Sequence, residues 1–300
     1  MPEPSHPSDA VISAAAPRTL AAISRAEFRD AHLSPRLPLV IKVLANPPRA
    51  VGKWDLDFFL SHYGKQRVPI DGLQSGKSET LEDYIAQLRS ANRSSSDGAL
   101  YMRNLLLFER FPELRADFAM PWIAHPNWLQ SKILGDFSGG SWRYWVELFL
   151  SGPGSRFPFV HIDPYYTHAW SLQVWGKKRF WLWPPSEGQF RKVLSGSLAR
   201  QSPKPILAST KFEEFFSDRP AQSVVLSAGD LLFLPAGWWH TTETEEESVT
   251  LGGNFVEASN WRDFEALYRS RNPPHSAKQR LQRRLASLAA PLYFRYRRPF

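Results

Sequence analysis

Two short segments of this chain combine the residue types that bind metal ions. The first reads H-I-D and contains His161 and Asp163, at the end of an apolar run that begins at Phe157. Side chains alternate between the two faces of a β-strand, so His161 and Asp163 are predicted to point to the same face. The second segment starts at Gly229, reads GDLLFLPAGWWH and ends at His240. Its Gly-Asp pair predicts a turn, its four apolar residues a strand, and Pro-Ala-Gly a bend before His240.

Two imidazoles and one carboxylate are the donor set of the facial triad that holds Fe(II) in non-haem oxygenases. That triad leaves coordination positions open for a co-substrate and for oxygen. An H-x-D pair alone occurs in many proteins that bind no metal. A histidine directly after two bulky tryptophans and a Gly-Asp turn is not explained by core packing. The two segments together therefore predict a metal centre formed by His161, Asp163 and His240.

Lys178 is a third unusual residue, because it begins an otherwise apolar strand. Alternation with Phe180 and Leu182 points its side chain inward. An inward ammonium is costly to bury unless an anion meets it. The alternative is an exterior lysine with its stem lying along the surface, as we expect for Lys177. Beside an iron triad, the distal carboxylate of 2-oxoglutarate would be a suitable partner for an inward Lys178.

The elements that must position these residues are mostly strands. From Trp142 onward, short apolar or alternating runs are separated by Gly and Pro, which is typical of a barrel or jelly roll. The predicted strands are Arg143–Leu150, Phe157–Ile162, Ala169–Trp175, Arg179–Trp183, Ser223–Leu226, Leu231–Leu234 and Ser248–Phe255. Residues 186–218 interrupt this series with helical and loop character.

The segments on either side of the predicted barrel have a different sequence pattern, which includes predicted helices. We expect a flexible leader over 1–18, an α/β segment over 19–140 packed on the core, a jelly-roll core over 141–260, and basic C-terminal helices over 261–300. The α/β segment contains the strand-like run 38–43 and a helix over Trp54–Tyr63. The C-terminal part contains two helices, Trp261–Ser270 and Ala277–Leu292, separated by a Pro-Pro break. The fold class is therefore mainly β with helical flanks.

Composition excludes several classes of protein. The 300 residues are 43% apolar and 22% charged, which rules out wholesale disorder. The chain has no cysteine, so disulfides, zinc knuckles and iron–sulfur clusters are excluded. No apolar run is long enough for a transmembrane helix, and the first twenty residues lack the pattern of a secretory signal. We therefore expect a cytoplasmic protein.

The net charge of +8 is concentrated in the C-terminal tail. Residues 262–300 hold ten Lys and Arg against two Asp and Glu, and the remainder is neutral. The last predicted helix carries an apolar stripe along one face, whose residues recur at intervals of three and four positions. These residues are Ala277, Leu281, Leu285, Leu288, Ala289 and Leu292. We expect this stripe to form a homodimer, with docking on the chain's own barrel and binding to a polyanion or membrane surface as alternatives. The acidic run 243–247 is predicted to be a solvated hairpin loop, with attraction of a basic peptide as the alternative.

The motifs together resemble the JmjC-domain, cupin-like Fe(II)- and 2-oxoglutarate-dependent oxygenases of the small hydroxylase type. The resemblance rests on HIDP at 161–164, QVWGKKR at 173–179 and the segment 229–240, and it extends over roughly residues 22–260. It implies a double-stranded β-helix core in which the three predicted ligands bind iron. It also implies that Lys178 pairs with the 5-carboxylate of 2-oxoglutarate.

Three further site positions follow from the resemblance alone. Tyr101 would donate its hydroxyl to the same carboxylate of 2-oxoglutarate. Ser171 stands where some relatives have an Asn that touches the co-substrate, and Asn254 would line the site. Pro158 departs from the pattern, because many relatives have Thr or Ser three residues before the first iron-binding histidine. His168 is expected to be structural, with a substrate contact as the alternative.

The resemblance implies hydroxylation of a C–H bond, with an amino-acid side chain of a protein or peptide as substrate. Two alternatives stay open. One is a hydroxylase of a tRNA base or a small metabolite, since related folds do both. The other is a catalytically silent cupin-like module that binds a partner through its basic tail. The intact triad and Lys178 argue against the silent module, which would need neither.

Overall fold

Two β-sheets form the centre of the protein, and their strands pair antiparallel except for the parallel pair of Arg18–Leu20 with Leu39–Ile41. The computed structural model describes residues 16–42, 46–69, 78–90, 101–131, 145–157, 160–185 and 221–296. Within these ranges a seven-stranded sheet faces a three-stranded sheet, and a separate two-stranded hairpin lies apart from both. The two facing sheets enclose the predicted site residues, as in a jelly roll.

The seven-stranded sheet contains strands from both the N-terminal segment and the predicted core. Its spatial order is β1-β2-β10-β7-β12-β6-β5. The bounds are Arg18–Leu20 for β1, Leu39–Ile41 for β2, Tyr101–Leu106 for β5, Glu147–Ser151 for β6, His168–Trp175 for β7, Leu231–Leu234 for β10 and Ser248–Phe255 for β12. The hairpin consists of β3 (Arg67–Pro69) and β4 (Ser78–Thr80).

The three-stranded sheet has the order β11-β8-β9, with β8 at Lys177–Trp183, β9 at Gln222–Ser227 and β11 at Trp239–Thr244. The chain passes from the large sheet to the small one at Gly176, whose φ is +70°. A Cβ at this position would lie 1.8 Å from the backbone oxygen of Glu247. Only glycine fits the turn, because the turn needs both a positive φ and the close approach of another backbone.

The central strands of the large sheet present one face to the helices and the other to the barrel interior. Leu148 and Leu150 of β6, with Leu172 of β7, are fully buried in the main hydrophobic cluster against the N-terminal helices. The alternate residues of β6 therefore point inward. Ser151, for example, bonds across the interior to Thr244 of β11 at 2.8 Å between the two hydroxyl oxygens.

The helices cover the outside of the large sheet and the C-terminal end. They are α1 (Arg25–Phe28, continued by a π turn to Leu33), α2 (Leu56–Tyr63), α3 (Leu81–Ser90), α4 (Leu107–Arg110), α5 (Trp261–Arg271) and α6 (Ala277–Tyr296). Helix α2 begins directly after its N-cap Asp55, whose side chain accepts from the backbone N–H of Phe58 at 2.6 Å. Tyr84 of α3 donates to the carbonyl of Leu150 at 2.8 Å and so ties the helix to the sheet.

Most of the strand predictions are confirmed to within a few residues. Two residues of the predicted strand Phe157–Ile162, 158 and 159, lie outside the described residues, and the described part forms an isolated bridge from His161 to His240 of β11. Strands β5 and β11 were not predicted. The interruption at 186–218, most of the predicted leader and Pro158 lie outside the described residues.

Helix α6 lies on the body of the protein through a face different from the predicted stripe. Ala286, Ala290 and Phe294 are buried against Trp128 and Trp261. The leucines of the stripe are instead exposed, so docking of the stripe on the chain's own barrel is ruled out. The exposed residues are Leu281, Leu285, Leu288 and Leu292, together with Tyr296. Among the described helices, none combines the length and the apolar character that crossing a membrane requires.

Candidate metal centre and adjoining pocket

Backbone pairing brings the two predicted histidine ligands together. The N–H of His161 donates to the carbonyl of His240 at 2.9 Å, and the N–H of His240 donates back at 2.8 Å. Residues that exchange both bonds in an antiparallel pair lie directly opposite each other. The two imidazole rings are consequently 4.1 Å apart between centroids.

The carboxylate of Asp163 completes this group. Its Oδ2 lies 3.9 Å from Nε2 of His240, and potential ligand atoms of His161, Asp163 and His240 all lie within 4.8 Å of one another. Burial raises the pKa of Asp163, while His240 and a hydrogen bond from Asn254 act in the opposite direction. A buried carboxylate beside two imidazoles is a suitable environment for a divalent cation, which would offset the cost of burial.

The loop before β11 orients the third ligand. Nδ1 of His240 lies 3.3 Å from the carbonyl oxygen of Trp238, so a proton on Nδ1 leaves Nε2 as the metal-binding atom. His168 holds the same loop, because its Nδ1 accepts from the N–H of Ala236 at 2.9 Å. Its Nε2 then donates to Ser259, whose hydroxyl oxygen is 3.0 Å away. His168 is fully buried and structural, in agreement with the first of its two predicted roles.

Lys178 is completely buried inside the barrel, as alternation predicts. Its Nζ donates to the hydroxyl of Tyr101 at 3.1 Å and lies 4.8 Å from the centre of the same ring. The hydroxyl of Tyr101 is also 3.0 Å from Oγ1 of Thr242. No ion pair of the described residues includes Lys178, and burial lowers its pKa to about 7. The protonated form of this buried amine would therefore be stabilised by an anionic ligand.

Ser171 and Asn254 both lie on the inner face of the large sheet. Ser171 pairs with Gly252 of β12, and Asn254 lies two residues further along that strand. The amide of Asn254 donates to the hydroxyl of Thr167 at 2.9 Å, beside the hydrogen bond that it gives to Asp163. Asn254 thus contacts a predicted ligand, whereas Ser171 lies further across the sheet. All seven predicted site residues face the same interior.

Sequence reasoning missed Glu147, an ionisable residue in the described part of this interior. It pairs with Gly252 across the sheet and accepts from the indole N–H of Trp145 at 2.5 Å. Burial is the main cause that raises its pKa to about 7, and the charge of Asp163 adds to the effect. The predicted strand Arg143–Leu150 contains a signal that could have found it. Side-chain alternation along this strand places Glu147 on the face opposite Leu148 and Leu150.

The acidic run 243–247 is only partly the loop that the sequence predicts. Glu243 belongs to β11, and only residues 245–247 form the turn. Four of its carboxylates form ion pairs with the chain's own cations: Glu243 with Arg156, Glu245 with Arg179, Glu246 with Lys177, and Glu247 with Arg89. Their charge is already neutralised locally, which removes the reason to expect attraction of a basic peptide.

A jelly roll with a His-Asp-His cluster at the mouth and a buried lysine inside defines a cupin-type metalloprotein. Residues 25–261 match the family described as the cupin-like domain. This match includes most of the chain and every predicted site residue. The chain belongs to the cupin-like domain family.

Curated relatives agree with the resemblance that the motifs suggest. The chain is 27% identical over 264 residues to the 2-oxoglutarate and iron-dependent oxygenase JMJD4 of Homo sapiens, with 80% of this chain and 62% of that protein covered. The Gallus gallus protein of the same name is 26% identical, with 70% and 50% covered. The bifunctional arginine demethylase and lysyl-hydroxylase psr-1 of Caenorhabditis elegans is 24% identical, with 78% and 59% covered. The chain thus spans between half and two thirds of the length of these relatives.

Proposed function

We propose that this protein is an Fe(II)- and 2-oxoglutarate-dependent hydroxylase that acts on an amino-acid side chain of a protein or peptide. The observation that carries the proposal is the convergence of His161, Asp163 and His240 within 4.8 Å inside a jelly roll. The names of the relatives support both the cofactors and a protein substrate.

The residues of the interior fit both cofactors. Two imidazoles and a carboxylate suit Fe(II) and leave positions open for further ligands. Lys178 would bind the distal carboxylate of 2-oxoglutarate, assisted by the hydroxyl of Tyr101, because a buried ammonium without a carboxylate partner favours an anion. Asn254 would orient Asp163 through its amide.

Iron and 2-oxoglutarate, when bound, supply a reaction in which one atom of O2 enters a substrate C–H bond and the other oxidises 2-oxoglutarate to succinate and carbon dioxide. The contribution of the protein is to position the reactants and to exclude water. Phe157 contributes to this enclosure, since its ring stacks on His161 at 4.5 Å between centroids.

A succinate-release assay tests the proposal. Purified protein with Fe(II) and oxygen should convert 2-oxoglutarate to succinate, at least in the slow reaction without substrate. His161→Ala, Asp163→Ala and His240→Ala should each abolish this turnover and retain the far-UV circular dichroism of the wild type. His275→Ala, in an exposed loop, is the matched control. Wild-type turnover by His240→Ala would refute the assignment of the triad.

We also propose that the exposed stripe of α6 pairs with a second copy of the chain. Leu281, Leu285, Leu288 and Leu292 are 54–73% exposed, and a continuous apolar surface of this kind is typical of an interaction site. The wild type should sediment as a dimer at micromolar concentration and in high salt, whereas Leu285→Asp should sediment as a monomer. Leu37→Asp, at an exposed leucine elsewhere, is the control. A monomeric wild type would refute the dimer.

We also propose a cytoplasmic location.

A further inference from the structure

Glu147 places a carboxylate on the inner face of β6. The proposed function assigns no binding or catalytic role to this carboxylate. Its neighbours Leu148 and Leu150 are fully buried on the opposite face, against the helices. Phe149 and Ser151 share the inner face, and the ring centre of Phe149 is 5.9 Å from Nζ of Lys178. Alternation therefore points Glu147 into the same interior as the buried lysine.

The position of Glu147 is close to the metal centre. It lies opposite Gly252 of β12, and Asn254 follows two residues later on the same face, about 7 Å along the strand. Asn254 gives a hydrogen bond to Asp163, and the charge of Asp163 acts on Glu147. Glu147 and the triad thus border the same stretch of the inner face of β12.

The partners of Glu147 leave one carboxylate oxygen available. Trp145 donates to Oε1, and no other hydrogen bond to Glu147 occurs among the described residues. The charge of Arg103 lowers the pKa of Glu147, but no ion pair within 4.0 Å joins the two side chains. The guanidinium carbon of Arg103 instead lies 5.6 Å from the ring centre of Phe157. Glu147 is enclosed by protein but partly reachable by solvent, as expected for a group that lines a pocket.

We propose that Glu147 is the specificity-determining residue that accepts the cationic end of a basic substrate side chain, with Trp145 holding the carboxylate in position. The inference rests on the proposed function and narrows its substrate class to lysine- or arginine-like side chains. A carboxylate removed from bulk water binds an ammonium or guanidinium group better than a neutral group. The indole of Trp145 adds an aromatic surface, which also favours a cation. The C–H bond that gains oxygen would then lie on the alkyl part of that side chain, near the triad.

Binding of small probes to the Mn(II)- and 2-oxoglutarate-loaded protein tests this inference without turnover. The probes are the N-acetyl methylamides of lysine, arginine, norleucine and glutamine, and the readout is paramagnetic relaxation of their protons by Mn(II). The wild type should bind the lysine or arginine probe about 10- to 100-fold more tightly than the norleucine probe, the usual value of a hydrogen bond to a charged group. Glu147→Gln should remove this preference, and Glu147→Asp should restore part of it.

Glu246→Gln is the matched control, because it makes the same chemical change at an exposed carboxylate of the same barrel. It should leave the preference unchanged. Equal binding of all four probes by the wild type, or failure of all to bind, would overturn the inference. So would an unchanged preference in Glu147→Gln. Tighter binding of the glutamine probe would also overturn it, since Glu147 would then act as a neutral hydrogen-bond donor.

Two further measurements separate the possible failures. Stabilisation of Glu147→Gln by 2-oxoglutarate against heat shows that the variant is folded and loaded. If the wild type releases succinate but does not discriminate among the probes, the inference fails and the proposed function stands. If the wild type releases no succinate and binds no Mn(II), the proposed function fails, and the inference fails with it.

Discussion

Lys178→Met removes a buried charge and retains a long apolar side chain. The ordinary pKa of Lys178 is 10.5, and burial lowers it to about 7 in the folded protein. The unfolded chain therefore binds more protons than the folded chain between about pH 7 and pH 10.5, and the free energy of unfolding must rise with pH across this window. At 1.36 kcal/mol per pKa unit, the full rise is about 5 kcal/mol.

The variant should lose this contribution to the pH dependence. Near pH 6 the cofactor-free Lys178→Met protein should be more stable than the wild type by several kcal/mol, because an unpaired buried ammonium has been replaced by an apolar group. Near pH 10.5 the difference should largely disappear. Urea unfolding of both proteins at several pH values measures the effect. Lys177→Met is the control, since this neighbouring lysine is half exposed and paired with Glu246.

The same variant should lose affinity for 2-oxoglutarate. Removing one partner of a buried ion pair costs about 3–5 kcal/mol, so the dissociation constant should increase at least about 100-fold. Calorimetric titration in the presence of Mn(II) measures it. Equal pH slopes for Lys178→Met and the wild type would refute the burial argument, and equal affinity for 2-oxoglutarate would refute the assigned role.

Three further predictions use the same methods. Tyr101→Phe should weaken 2-oxoglutarate binding about tenfold in calorimetric titration, because the buried lysine and the ligand lose a hydroxyl partner; unchanged binding would exclude that contact. Gly176→Ala should lower the free energy of unfolding in urea by about 2–4 kcal/mol through strain and a backbone clash, and clearly more than Gly52→Ala, whose φ is +80° but whose surroundings are open. His168→Leu should cost about 1–3 kcal/mol in the same assay, because the N–H of Ala236 loses its acceptor. The same variant should also weaken Mn(II) binding. Unchanged Mn(II) affinity would show that the loop held by His168 does not position the metal ligands.

The sequence by itself determined those features that depend on residue type and local periodicity. Alternation in β8 placed Lys178 inward, and the predicted helix Trp54–Tyr63 contains α2. The donor types at His161, Asp163 and His240 predicted a metal centre before any contact was known. Each of these inferences uses steric and chemical rules that act within a few residues, so tertiary structure was not needed to make them.

Only the tertiary structure decided which of two equivalent faces became the interior. Residues 146–150 alternate, and pairing of β6 between β5 and β12 is what turns Glu147 towards the triad. Helix α6 has two apolar stripes at helical spacing, and contact with Trp128 and Trp261 selects the one with Ala286, leaving the leucines exposed. The meeting of His161 with His240 likewise requires a backbone pair between distant segments. Such choices depend on long-range packing, because a local pattern separates two faces but does not decide which of two comparable faces packs against the rest of the chain.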